Sequence, residues 1–201
     1  MMRSPDPISV IFLLLFLFIM CFYLFRLAHP PTWIHRFDAE NEVGHGMMAI
    51  GMIFMLAPAG WLPPDIIHWN ILLFAASSLW WTVRLCARKP LLALILRTPG
   101  GRSTVWAEAI HVFMHGGMCY SFLLMSSMAL SMTSPIILIT CLLCVSFALL
   151  ALFYVREAVK DLQRGKRDWL QLGANLAHAL MSGVMCWMFL EMISMSITMG
   201  T

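Results

Sequence analysis

The sequence predicts an all-α polytopic membrane protein, built as three repeats of a two-helix hairpin. Three observations support this. The 201 residues are 61% hydrophobic and 11% charged, whereas an ordinary soluble domain carries about 25% charged residues. Apolar runs close to the roughly 20 residues that span a bilayer follow one another along the chain. A histidine with methionines three and seven residues later occurs three times: His45, Met48, Met52; His111, Met114, Met118; and His178, Met181, Met185. The histidines are 66 and 67 residues apart, and a near-constant period marks internal repetition.

The first apolar run, about 8–28, is longer than the apolar core of a signal peptide, and no small-residue cleavage site follows it. It reads as a retained membrane helix. The second, about 43–57 with a few more residues at its start, is short because Pro58 follows closely. Pro58, Gly60, Pro63 and Pro64 then form a turn before the third run, about 65–86. Pro90, Pro99, Gly100 and Gly101 break the chain ahead of the fourth, about 105–132. Thr133-Ser134-Pro135 separates it from the fifth, about 135–157, and Gly165 lies in the basic segment before the sixth, about 169–197. Proline and glycine are the strongest local breakers. Six helices in a single membrane domain, 1–201, therefore form repeat hairpins at about 8–57, 65–132 and 135–199.

Charge gives the orientation. Of thirteen Lys and Arg residues, twelve lie around loops one, three and five, among them Arg26, Arg36, Arg84, Arg88, Arg97, Arg102, Arg156, Lys160, Arg164, Lys166 and Arg167, and only Arg3 lies elsewhere. Positively charged loops stay in the cytoplasm. Both termini are then outside, and the expected location is the bacterial inner membrane. The net charge of +3 reflects this topology and carries no nucleic-acid footprint.

At about 100° per residue, positions +3 and +7 share a helix face with each histidine and sit about 4.5 and 10.5 Å further along the axis. If helices two, four and six line a pseudo-threefold axis, the repeats stack a histidine ring at the cytoplasmic end and two methionine rings beyond it. The stripe extends to Met55 and Met188, to Met125, Met128 and Met132, and to Met192, Met195 and Met199. Methionine also packs well as a flexible apolar filler, so a stripe of this kind is compatible with packing alone. Its distribution favours a ligand role. Of eighteen methionines, fifteen lie in helices two, four and six.

A neutral, soft thioether suits Cu(I), and the same rings suit Ag(I); carboxylate and water suit harder ions. Zinc prefers Cys, His and carboxylate. Successive weak sites allow an ion to enter and leave. Position −3 holds Glu42, Glu108 and Asn175, each able to accept a hydrogen bond that orients the imidazole or simply to sit at a solvated helix start. His115, one turn beyond His111, has Ala49 and Ser182 as its counterparts; it reads either as an asymmetric ligand or as a hydrogen-bonded interior histidine. Glu191 is a secondary candidate about a quarter turn off the stripe. The six cysteines imply no disulfide framework, and Cys141-x-x-Cys144 is a weak signal inside a membrane helix. His29, His35 and His68 read as boundary or loop residues. No phosphate-binding loop, dinucleotide fingerprint or nucleophile elbow is present.

The pairs Met48/Met52, Met114/Met118 and Met181/Met185, at M-x-x-x-M spacing, resemble the Met triads of Ctr-type copper transporters. In that family three chains each supply one such helix to a threefold Cu(I) pore. The resemblance implies a Cu(I) pathway that this chain would build alone. It is confined to the ligand element and reads as convergent: Ctr subunits have three membrane helices and a Met-rich tail, and here each repeat has two helices and no such tail. The repeated His-x-x-Met pattern is also similar to that of small bacterial His/Met-rich integral membrane proteins.

The leading expectation is a Cu(I) channel, carrier or binding protein in the bilayer, with copper donor or acceptor proteins as partners and no need of a second copy. One alternative is a copper or haem redox protein, since His and Met both serve as haem axial ligands. Another is a structural or assembly protein whose methionines only pack. An enzymatic role is the lesser expectation.

Overall fold

The computed structural model describes residues 7–29, 39–57, 61, 63, 65–89, 105–126, 134–163 and 169–199, without the side chains of 8, 134 and 195–199. His35, Arg36, Arg97, Arg102, Met128, Met132, Arg164, Lys166 and Arg167 lie outside the described residues, as do most of the Pro and Gly breakers. The chain divides into two compact units, Met1–Ser126 and Ser127–Thr201.

Six helices follow in order: α1 Pro7–Ala28, α2 Ala39–Leu56, α3 Ile66–Ala87, α4 Val105–Ser126, α5 Ser134–Gln163 and α6 Trp169–Met199. Five of them, all but α2, contain segments long and apolar enough to cross a membrane, so the protein is an integral membrane protein. The sequence leads one to expect six such spans. α2 has only 18 residues and opens with Glu40 and Glu42 in its first turn, which lowers its hydropathy. At 1.5 Å per residue it is about 27 Å long, and its histidine, methionines and glycines are largely buried in protein.

In the first unit, α1 packs on α2, α3 packs on α4, and the two hairpins meet through α2 and α4. α1 and α3 turn large apolar side chains outward, including Ile11, Leu14, Phe18, Leu72 and Leu79. Outward apolar faces of this kind suit lipid, where the backbone must satisfy itself within the helix. Two side chains of α3 reach the α2 backbone. A Cβ on Gly44 would stand 2.7 Å from the Trp81 ring, and one on Gly51 would stand 2.5 Å from Phe74 Cζ and 2.6 Å from Met118 Cε. Glycine at these two positions, seven residues apart on one helix face, lets two bulky rings of α3 press against the α2 backbone.

α3 ends with Arg88 in the left-handed region at φ 53, its N–H bonded to the Arg84 carbonyl at 2.7 Å. Arg26 and Arg84, read from the sequence as loop charges, belong to the last turns of α1 and α3 and are buried.

In the second unit, α5 and α6 form one hairpin. α5 extends past the expected end near 157 to Gln163, because Arg156, Glu157 and Lys160 continue the helix beyond its apolar part. Lys160 Nζ lies 2.6 Å from Glu157 Oε1. Leu138, Leu142, Val145, Leu149 and Leu152 form its outward face.

Candidate functional site

The histidine of each returning helix, α2, α4 and α6, packs against an aromatic ring of the preceding helix. Tyr23 stacks on His45 at 4.8 Å between ring centroids. Trp81 stacks on His111 at 4.0 Å. Tyr154 meets His178 at 4.5 Å. One turn further on, Arg26 Nη2 pairs with Glu42 Oε1 at 2.9 Å, and Arg84 Nη2 pairs with Glu108 Oε1 at 2.7 Å. Two turns earlier, Phe16, Phe74 and Phe147 are fully buried. Phe74 faces Phe122 and Phe147 faces Phe189, both at 5.8 Å.

The two rings recur on all three outgoing helices, followed by arginine on α1 and α3 and by Glu157 on α5. Their signal in the sequence is Phe16, Tyr23, Arg26; Phe74, Trp81, Arg84; and Phe147, Tyr154, Glu157, at constant internal spacing. The offsets between copies are 58 and 73 residues, not 66 and 67, because the loops within the hairpins differ in length.

The first unit brings His45 and His111 together, with ring centroids 4.6 Å apart. Tyr23, His45, His111 and Trp81 thus form a continuous aromatic column. His111 Nε2 contacts Asn41 Oδ1. Arg84 caps the column, its guanidinium carbon 4.5 Å from the Trp81 ring centroid. Arg84 is 1% exposed and reaches two helices: Nη1 lies 2.7 Å from Glu40 Oε2 on α2, and Nη2 and Nε both engage Glu108 Oε1 on α4. A buried guanidinium of this kind is tolerated because carboxylates meet its fork.

Glu42 and Glu108 are therefore bound to arginines. Asn175 departs from them in type and in partner: its Nδ2 donates to Asp161 Oδ2 at 2.8 Å. In the second unit, His178 Nδ1 lies 2.7 Å from the Ala174 carbonyl oxygen.

Met48, Met52, Met114, Met118, Met181 and Met185 are each 0% exposed. Met188 and Met192 are also buried, and Met55 is half-buried. His115 is fully buried, and its Nδ1 lies 2.9 Å from Ser77 Oγ on α3. Glu191 is exposed, as are His29 and His68. Among the described residues, no three His, Cys, Asp or Glu side chains gather into a metal-binding group. Cys119 and Cys186 sit in helix packing: Cys119 Sγ is 3.7 Å from the Ile71 carbonyl oxygen, and Cys186 Sγ is 3.6 Å from Cys144 Sγ. A surface groove of about 410 Å³ lined by Phe54, Ile66, Trp69, Asn70, Leu72 and Leu73 contains none of the ring residues.

Fold and site together define an α-helical integral membrane protein with a buried His/Met interior. Residues 37–134 are similar to a domain of unknown function, DUF5134. That stretch runs from the start of α2 to the start of α5 and takes in two of the three His/Met sets. No curated protein and no solved structure matches the chain.

Proposed function

We propose that this protein binds copper(I) within the membrane and passes it as cargo, as a channel or carrier, through the thioethers of Met48, Met52, Met114, Met118, Met181 and Met185. The observation that carries this reading is their complete burial on the returning helices alone. The outgoing helices fill the corresponding depth with Phe16, Phe74 and Phe147. Packing by itself gives no reason for such a division, since phenylalanine and methionine both fill apolar cores. The donor set fits the ion: neutral, soft thioethers away from water suit Cu(I) and disfavour hard divalent cations. The resemblance of the M-x-x-x-M pairs to Ctr-type Met triads points the same way.

In the same reading the three hairpins are copies of one ancestral hairpin. The recurring ring–histidine contact, the Phe of the outgoing helix and the His-x-x-Met-x-x-x-Met register support this. The loops after α1, α3 and α5 lie in the cytoplasm of a bacterial inner membrane, with both termini outside, as the basic residues suggest. A reporter fused after residue 201 should register outside; a cytoplasmic signal would reverse the orientation.

Metal analysis of the purified protein together with its absorption spectrum tests the function. Copper without a Soret band is the expected result. A Soret band would assign haem instead, and absence of metal after anaerobic Cu(I) loading would leave the methionines a packing role.

A further inference from the structure

Within that copper reading, on which this inference rests, we infer that His115 supplies the metal-binding imidazole of the first unit, with Ser77 as the residue that positions it. His45 and His111 head their repeats, but both are stacked into the aromatic column. His111 lies against Trp81 and His45, and its Nε2 is taken up by Asn41. His45 lies between Tyr23 and His111.

His115 meets Phe74, Trp81 and His111 only loosely, at 5.7, 6.0 and 6.2 Å between centroids, and is anchored instead by a hydroxyl of α3. It is 0% exposed, and its Nε2 has no hydrogen-bond partner. A buried polar atom left in that state costs about 1–3 kcal/mol, and a metal ion would remove the cost. The other ring nitrogen is held by Ser77 Oγ at 2.9 Å. When Nδ1–H donates to that hydroxyl, the Nε2 lone pair is free and directed away from Ser77. This is how an imidazole is commonly prepared for a metal, with one nitrogen anchored and the other presented.

The neighbouring donors are of the right kind. Met118 lies three residues along α4, on the same helix face as His115. Its methyl group reaches the α2 backbone at Gly51, beside Met52. The site would hold Cu(I) by His115 Nε2 and Met118 Sδ, with a thioether of α2 completing it.

Register adds a second, independent argument. The positions equivalent to Ser77 on the other outgoing helices are Ile19 and Leu150, and those equivalent to His115 are Ala49 and Ser182. The serine and the histidine thus occur together in one hairpin, and neither other hairpin has the pair. The second repeat therefore carries an imidazole at this depth that the other two lack.

The test is X-ray absorption at the copper edge on the full-length protein loaded anaerobically with Cu(I), together with competitive affinity titration. The parent should show one nitrogen scatterer per copper among sulfurs. His115→Gln should remove it and weaken binding at least about 100-fold, while His111→Gln keeps it. Ser77→Ala should weaken binding about tenfold, in the range usual for residues that orient a ligand, and Ser77→Thr should restore it. An all-sulfur shell in the parent, or a nitrogen signal that survives His115→Gln and vanishes in His111→Gln, would overturn the inference and leave the copper reading standing. A parent that binds no Cu(I) would overturn that reading itself. The parent spectrum decides the matter even where a variant fails to fold.

Discussion

Trp81 of α3 and His111 of α4 stack with their centroids 4.0 Å apart and their planes 13° from parallel. This contact joins the three parts of the first unit's interior. Trp81 packs over the α2 backbone at Gly44, carries the Arg84 guanidinium on its ring, and holds the histidine that heads the α4 stripe. Trp81→Ala should destabilise the protein by about 3–5 kcal/mol through the cavity it leaves. The loss should appear as a lower unfolding midpoint in detergent. Trp81→Phe keeps a ring against His111 and should recover much of it.

Arg84 and Glu108 form a buried ion pair that bridges α3 and α4, with Glu40 of α2 on the remaining nitrogen. Removing one partner strands the other's charge. Arg84→Met should cost about 3–5 kcal/mol. Adding Glu108→Met should return part of that loss, because the stranded carboxylate is gone. A double-mutant cycle by denaturant titration measures the coupling. Simple additivity would mean that the pair does not stabilise this interface.

Gly51 and Gly46 lie on the same helix with opposite surroundings. A Cβ at 51 would stand 2.5 Å from Phe74 Cζ, whereas a Cβ at 46 meets nothing within 4 Å. Phe74 is fully buried, so its ring has little room to withdraw. Gly51→Ala should therefore destabilise by about 1–3 kcal/mol through overpacking. Gly46→Ala should be neutral or stabilise by up to about 1 kcal/mol through helix propensity. Thermal unfolding of the two variants side by side separates them.

The sequence makes the returning helices legible because their chemistry is periodic. His45, His111 and His178 recur at 66 and 67 residues, and histidine and methionine are uncommon enough in apolar helices for the register to stand out. The outgoing helices repeat just as regularly inside themselves, yet Phe, Tyr and Trp are ordinary membrane residues and the offsets between copies are unequal. Arg26 and Arg84 mislead for a related reason. A basic residue at the end of an apolar run is normally a topology marker, and only their carboxylate partners on the next helix show them to be buried in ion pairs. The short α2 is less apolar than the spanning segments of the other five helices for the reason visible in its first turn, Glu40 and Glu42, which precede its apolar run. His115 was visible as an oddity of the second repeat; its bond to Ser77 links residues 38 apart in sequence and has no local signal.

Copper(I) affinity of four single variants, measured by competition with a chromogenic chelator under anaerobic conditions, separates methionines that bind the ion from methionines that only pack. Met48→Leu, Met114→Leu and Met181→Leu each exchange a thioether for an alkyl chain of similar size, at a packing cost under about 1.5 kcal/mol. Met20→Leu in α1 makes the same exchange away from the stripe. The three stripe variants should stay folded and lose Cu(I) binding sharply while Met20→Leu binds as the parent does. Stripe variants that bind as tightly as the parent, or a Met20→Leu protein that loses as much as they do, would contradict the ligand role of the stripe.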